Sequence, residues 1–105
     1  MRRPDLSLVA RGRFPNEVVP DFDIPIPPDL CAEVVSPNET YEQIEDKVVE
    51  FLGVGVRLFW IVSPEAKTVL VRRPNKTCTA LDVTDILNGE DVLPGFTCPV
   101  AELFA

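Results

Sequence analysis

Asp29-Leu30-Cys31-Ala32-Glu33-Val34-Val35 is the stretch on which the reading of the fold turns. It is a mostly apolar run that opens on Asp29 and has a second carboxylate, Glu33, set inside it. A short run without polar alternation reads as a strand covered on both faces, as strands in parallel or mixed sheets are. Ser36-Pro37-Asn38 stops it, because proline removes a ladder donor and holds the preceding residue extended. A helix is expected to follow, from residue 39 or 40 to about residue 54. Its apolar residues Tyr41, Ile44, Val48, Phe51 and Leu52 fall on one stripe at a period of about 3.6 residues, and Gly53 and Gly55 mark its end.

Working outward towards the C-terminus, residues 57–62 form a second apolar strand, Ser63-Pro64-Glu65-Ala66 a turn, and residues 67–73 a third strand, a hairpin signal. Pro74-Asn75-Lys76 reads as another turn, with residues 77–83 as the partner strand. Leu87-Asn88-Gly89-Glu90 carries the Asn-Gly signature of a tight turn, and residues 100–104 form a short amphipathic piece. Towards the N-terminus, residues 4–11 alternate Asp5, Ser7 and Val9 against Leu6, Leu8 and Ala10, the period of a half-buried strand. Between them Pro15, Pro20, Pro25, Pro27 and Pro28 indicate an irregular crossing. The order strand, crossing, strand, helix, antiparallel meander is an α+β layout with one principal helix in a single domain spanning 1–105.

Composition narrows the chemistry. The chain has 105 residues, 46% hydrophobic and 26% charged, which fits one small folded domain and argues against disorder. It contains no histidine, so a histidine base is excluded, and its three cysteines, Cys31, Cys78 and Cys98, show no zinc-ligand spacing. No apolar run approaches the length of a membrane span and no signal-peptide core follows Met1, so a cytoplasmic protein is the default expectation. The net charge of −7 argues against a protein that coats nucleic acid nonspecifically, although Arg2, Arg3, Arg11 and Arg13 cluster near the start.

Three residues could carry chemistry. Burying the Glu33 carboxylate costs several kcal/mol unless a cation or donors compensate it, so it is either half of an ion pair or a ligand and base. Asp5 opens the first strand, where a side chain either faces a cleft or simply meets water. Lys47 lies at the margin of the helix stripe, three residues after Ile44, and either snorkels to solvent or leans over the sheet towards Glu33. Two carboxylates on neighbouring strands can hold Mg²⁺, and a lysine beside them can stabilise charge on a phosphoryl group.

Arg3-Pro4-Asp5-Leu6, Pro28-Asp29-Leu30-Cys31-Ala32-Glu33-Val34-Val35-Ser36, Lys47, Phe51-Leu52, Leu58-Phe59-Trp60-Ile61-Val62-Ser63-Pro64 and Gly89-Glu90-Asp91-Val92-Leu93-Pro94-Gly95-Phe96 together resemble a known group. It is the "putative restriction endonuclease" family of the PD-(D/E)xK superfamily, abundant in cyanobacteria. The resemblance implies a restriction-endonuclease-like mixed sheet and metal-dependent cleavage of nucleic acid, most simply DNA. It implies Asp5, Glu33 and Lys47 as catalytic residues, with Asp5, Glu33 and the Val34 carbonyl holding Mg²⁺ or Mn²⁺. Val35 stands where the superfamily usually has its lysine, and the family supplies that lysine from the following helix, here Lys47. Asp29 is a strand-entry residue in this reading, roughly 13 Å along the strand from Glu33. Ser63 replaces an aspartate usual before the proline. Relatives carry a substantial portion before the Arg-Pro-Asp strand. The chain is therefore expected to be an N-terminally short member, or one whose sheet a second chain completes, as a homodimer or other oligomer; the alternative function is that of a catalytically inactive relative acting as a small oligomeric interaction module.

Overall fold

The structure, a computed structural model, describes residues 28–105 and, as backbone only, residues 6–8. The proline-rich crossing lies outside the described residues, apart from Pro28. Five strands form the main sheet in spatial order β1-β2-β3-β4-β5: β1 (Leu6–Leu8), β2 (Leu30–Val34), β3 (Leu58–Ser63), β4 (Thr68–Arg72) and β5 (Cys78–Leu81). β2 and β3 run parallel, joined across the helix α1 (Tyr41–Gly53), while β1–β2, β3–β4 and β4–β5 are antiparallel. A separate two-stranded sheet, β6 (Ile86–Asn88) and β7 (Thr97–Pro99), leads into the short helix α2 (Val100–Leu103). This is the mixed α+β architecture, with one principal helix and antiparallel hairpins, that the sequence pattern predicts.

The unbroken apolar run of β2 is explained by cover on both faces. On one face Cys31, Phe59 and Ile61 pack with Val48, Phe51 and Val56 from α1 and the segment that follows it. On the other, Leu30, Ala32, Leu58, Trp60, Val69 and Val71 pack with Leu87 of β6 and Val100 of α2. Phe96 stacks on Trp60 there, with ring centroids 5.7 Å apart. Fully burying a Leu, Val or Phe side chain contributes about 1.5–3 kcal/mol, so these two layers hold the sheet between them.

The start of α1 is set by a capping box. The Thr40 hydroxyl accepts from the Gln43 amide at 3.2 Å, and the Gln43 side chain accepts from the Thr40 amide at 2.9 Å. Its end is a Schellman closure: the Val56 amide reaches the Phe51 carbonyl at 3.1 Å and the Gly55 amide the Leu52 carbonyl at 3.3 Å, with Gly55 at φ 113°. Val56 then packs beside Phe51, which seals the helix end onto the sheet. Tyr41 fits the stripe by spacing but is 76% exposed, because it is the first helical residue and the buried contacts begin a turn later.

The Asn88-Gly89 pair closes the β6–β7 hairpin, but not as a two-residue turn. Such a turn needs positive φ at both residues, whereas here Glu90 and Gly95 take it. The connection is the eight-residue loop 89–96, whose first turn is closed by the Leu93 amide on the Gly89 carbonyl at 2.9 Å. A Cβ on Gly89 would collide with Leu93, so the glycine serves close approach of backbone.

Candidate active site

Glu33 is the fourth residue of β2, opposite Ile61 in the parallel register, and faces α1 rather than the β6–β7 layer. It is 3% exposed. Two turns into α1, Lys47 extends along the sheet, and its Nζ donates to Glu33 Oε2 at 3.0 Å and to Glu39 Oε2 at 3.3 Å. The other oxygen of Glu39 accepts from the Ser36 amide at 3.0 Å, while the Glu39 amide donates to the Ser36 carbonyl at 3.1 Å. The turn that stops β2 therefore also fixes the carboxylate that steadies Lys47.

Hydrogen bonding to Glu33, opposed by burial and aided by Glu39, holds the Lys47 ammonium above its ordinary pKa. The Ser36 amide, opposed by burial and aided by Lys47, holds the Glu39 carboxyl below its own. At neutral pH Lys47 is thus a cation and a donor, not a base. Cys31 lies on the same face two residues before Glu33. Burial, and secondarily the Glu33 charge, push its thiol up to about 12, so it is not a thiolate nucleophile at neutral pH.

Of the residues expected from the sequence, Glu33 and Lys47 are brought together. Val34 ends β2 opposite Val62, its side chain 47% exposed on the other face of the sheet. Asp5 lies outside the described residues. Asp29 precedes β2, where its carbonyl accepts from the Arg57 and Leu58 amides at 2.9 and 3.2 Å and its carboxylate lies 3.4 Å from Arg57 Nε. It joins the starts of β2 and β3. Glu39 was not singled out from the sequence. It precedes the N-cap Thr40, outside the helix, so helical spacing carries no signal for it.

A group of three His, Cys, Asp or Glu side chains able to hold a metal does not occur among the described residues. The donors that do occur near Lys47 are carboxylate oxygens, Glu33 and Glu39. That donor chemistry fits a hard divalent cation such as Mg²⁺.

The site therefore consists of a buried strand carboxylate met by a lysine from the helix that follows, on a mixed sheet. The chain belongs to the Uma2 family, described as "Putative restriction endonuclease", which matches residues 1–101. Its fold is similar to the crystal structure of a "putative nuclease belonging to DUF820" from Anabaena variabilis, with a TM-score of 0.69 and 22% identity over 75% of this chain. The match covers 45% of that solved chain, so the present chain spans less than half of its length. No curated protein matches the chain. No helix among the described residues is long and apolar enough to cross a membrane.

Proposed function

We propose that this domain hydrolyses phosphodiester bonds of nucleic acid, most simply DNA, with Mg²⁺ or Mn²⁺ held by Asp5, Glu33 and the Val34 carbonyl. The observation that carries this reading is the Lys47 ammonium 3.0 Å from the buried Glu33 carboxylate. Asp5 enters this reading from the family resemblance of Arg3-Pro4-Asp5-Leu6, as the second carboxylate beside Glu33.

When bound, the cation would polarise a phosphoryl oxygen and lower the pKa of a water molecule. The protein's own groups do the rest. Glu33 presents its carboxylate from a buried strand position, already charge-paired with Lys47. Lys47 stays protonated, so it donates to a phosphate oxygen and offsets charge that develops there. Glu39 restrains the Lys47 stem and keeps the ammonium beside the site as Glu33 turns to a ligand.

The test is cleavage of supercoiled plasmid with Mg²⁺ or Mn²⁺ by the wild type, Glu33→Gln and Lys47→Met, each verified as folded. Metal-dependent nicking lost in both variants supports the reading, and equal nicking by all three chains refutes it. A second reading, a non-catalytic domain in which Glu33 and Lys47 form a purely structural salt link, is favoured by the way Lys47 already bridges two carboxylates. In that case replacing Glu33 and Lys47 together by methionine keeps or raises stability.

A further inference from the structure

We propose that the outer edge of β5 is a homodimer interface, in which two copies pair antiparallel about a two-fold axis at Thr79. β5 ends the main sheet, and no strand lies beyond it among the described residues. Cys78, Thr79 and Ala80 are all exposed. Natural edge strands are usually protected by charge, proline or a bulge within the strand, and Cys78-Thr79-Ala80-Leu81 has none of these.

The ladder determines which groups face outward. The Arg73 amide donates to the Thr77 carbonyl at 3.2 Å, so Arg73 and Thr77 are a hydrogen-bonded pair of the β4–β5 register. Hydrogen-bonded pairs recur every second residue, which directs the backbone groups of Thr79 and Leu81 to β4 and those of Cys78 and Ala80 to the free edge. Beyond them the edge is closed. The Lys76 amide is taken by the Arg73 carbonyl at 3.1 Å, and the Asp82 amide by the Asp85 carboxylate at 2.9 Å.

A second copy therefore has one antiparallel register that uses both outward residues. Cys78 of each copy meets Ala80 of the other, exchanging four backbone hydrogen bonds, and Thr79 faces Thr79 in a pair without them. The same axis brings Lys76 of each copy to Asp82 of the other. An uncharged strand with a cation at one end and an anion at the other is complementary to itself when reversed. Shifting by one residue, in either direction, directs a Cys78 or Ala80 group onto an amide already occupied.

Disulfide trapping tests the register in a Cys78→Ser/Cys98→Ser background, which leaves only the buried Cys31. Facing residues of a pair without hydrogen bonds have Cα atoms about 4.5 Å apart, within reach of a disulfide, whereas diagonal neighbours lie about 7–8 Å apart and are not. Thr79→Cys is expected to form a covalent dimer under mild oxidation, and Ala80→Cys is not. Ala80→Pro removes only an outward amide, which an edge strand tolerates, so it should abolish concentration-dependent dimerisation in light scattering while retaining the monomer's circular dichroism. A wild-type chain that stays monomeric at its highest soluble concentration overturns the proposal. So does trapping at residue 80 as fast as at residue 79.

Discussion

Lys47 reaches Glu33 across the gap between helix and sheet, its Nζ 3.0 Å from Oε2, although the two residues are fourteen positions apart in the chain. The contact joins the one carboxylate in the apolar run of β2 to the one cation on the inner margin of α1, and Glu39 completes it at 3.3 Å. The charge of each is what makes the other tolerable in a half-dry space.

Glu39 and Glu33 are expected to differ in kind. Glu39→Gln removes one partner of an ammonium that keeps its other. With its side chain one fifth exposed, the cost is about 0.5–1.5 kcal/mol in urea unfolding. Divalent-cation binding should survive Glu39→Gln and be lost in Glu33→Gln. Equal loss in both variants would make Glu39 a ligand in its own right.

Stability should fall at both ends of the pH scale for identifiable reasons. Glu39 and Glu45 are held below their ordinary value of 4.5, Glu39 chiefly by the Ser36 amide and Glu45 chiefly by Arg72. Their contributions are present above pH 4.5 and are lost as pH falls through the lower folded values. Lys47 is held above 10.5, so its contribution is complete below that pH and is lost as pH rises through the folded value. Cys31, raised from 9.0 to about 12, ionises more readily in the unfolded chain and adds a loss between those values. Urea midpoints against pH check this: Glu45→Gln should flatten the acid limb, and Cys31→Ala the limb above pH 9.

Two glycines two residues apart should respond with opposite signs. Gly55 takes φ 113°, so Gly55→Ala opens the Schellman closure and costs roughly 1–2 kcal/mol. Gly53 is helical and a Cβ there would meet nothing within 4 Å, so Gly53→Ala should stabilise by about 0.5 kcal/mol. Thermal melts of both variants read the difference directly.

Phe51→Ala should be the most damaging change on α1, costing about 3–5 kcal/mol. Phe51 is 1% exposed, it packs against Phe59 with ring centroids 6.1 Å apart, and its carbonyl receives the closing bond from Val56. Chemical unfolding monitored through Trp60 gives the value.

Much of this was legible in the sequence because the signals are local. The stop at Ser36-Pro37, the stripe Ile44, Val48, Phe51 and the Gly55 ending all act within one or two turns. Glu33 was conspicuous because a carboxylate inside an apolar run demands compensation. The Asn88-Gly89 turn was misjudged for the opposite reason: the loop is shaped by the Phe96–Trp60 stacking, a tertiary contact that overrides the dipeptide's own preference. Glu39 escaped notice because it stands outside the helix in a polar turn. Only the fold of that turn, through the Ser36 amide, aims its carboxylate at Lys47.

The most direct test of the central claim is calorimetric titration of Mn²⁺ into the wild-type chain and into Glu33→Gln, with Lys47→Met beside them. The metal-site account predicts saturable binding to the wild type, loss of it in Glu33→Gln, and retention or strengthening in Lys47→Met, where the competing ammonium is gone. Identical isotherms for the wild type and Glu33→Gln, or no binding to any of the three chains, would contradict a metal site at Glu33 and leave the Lys47 link as structure alone.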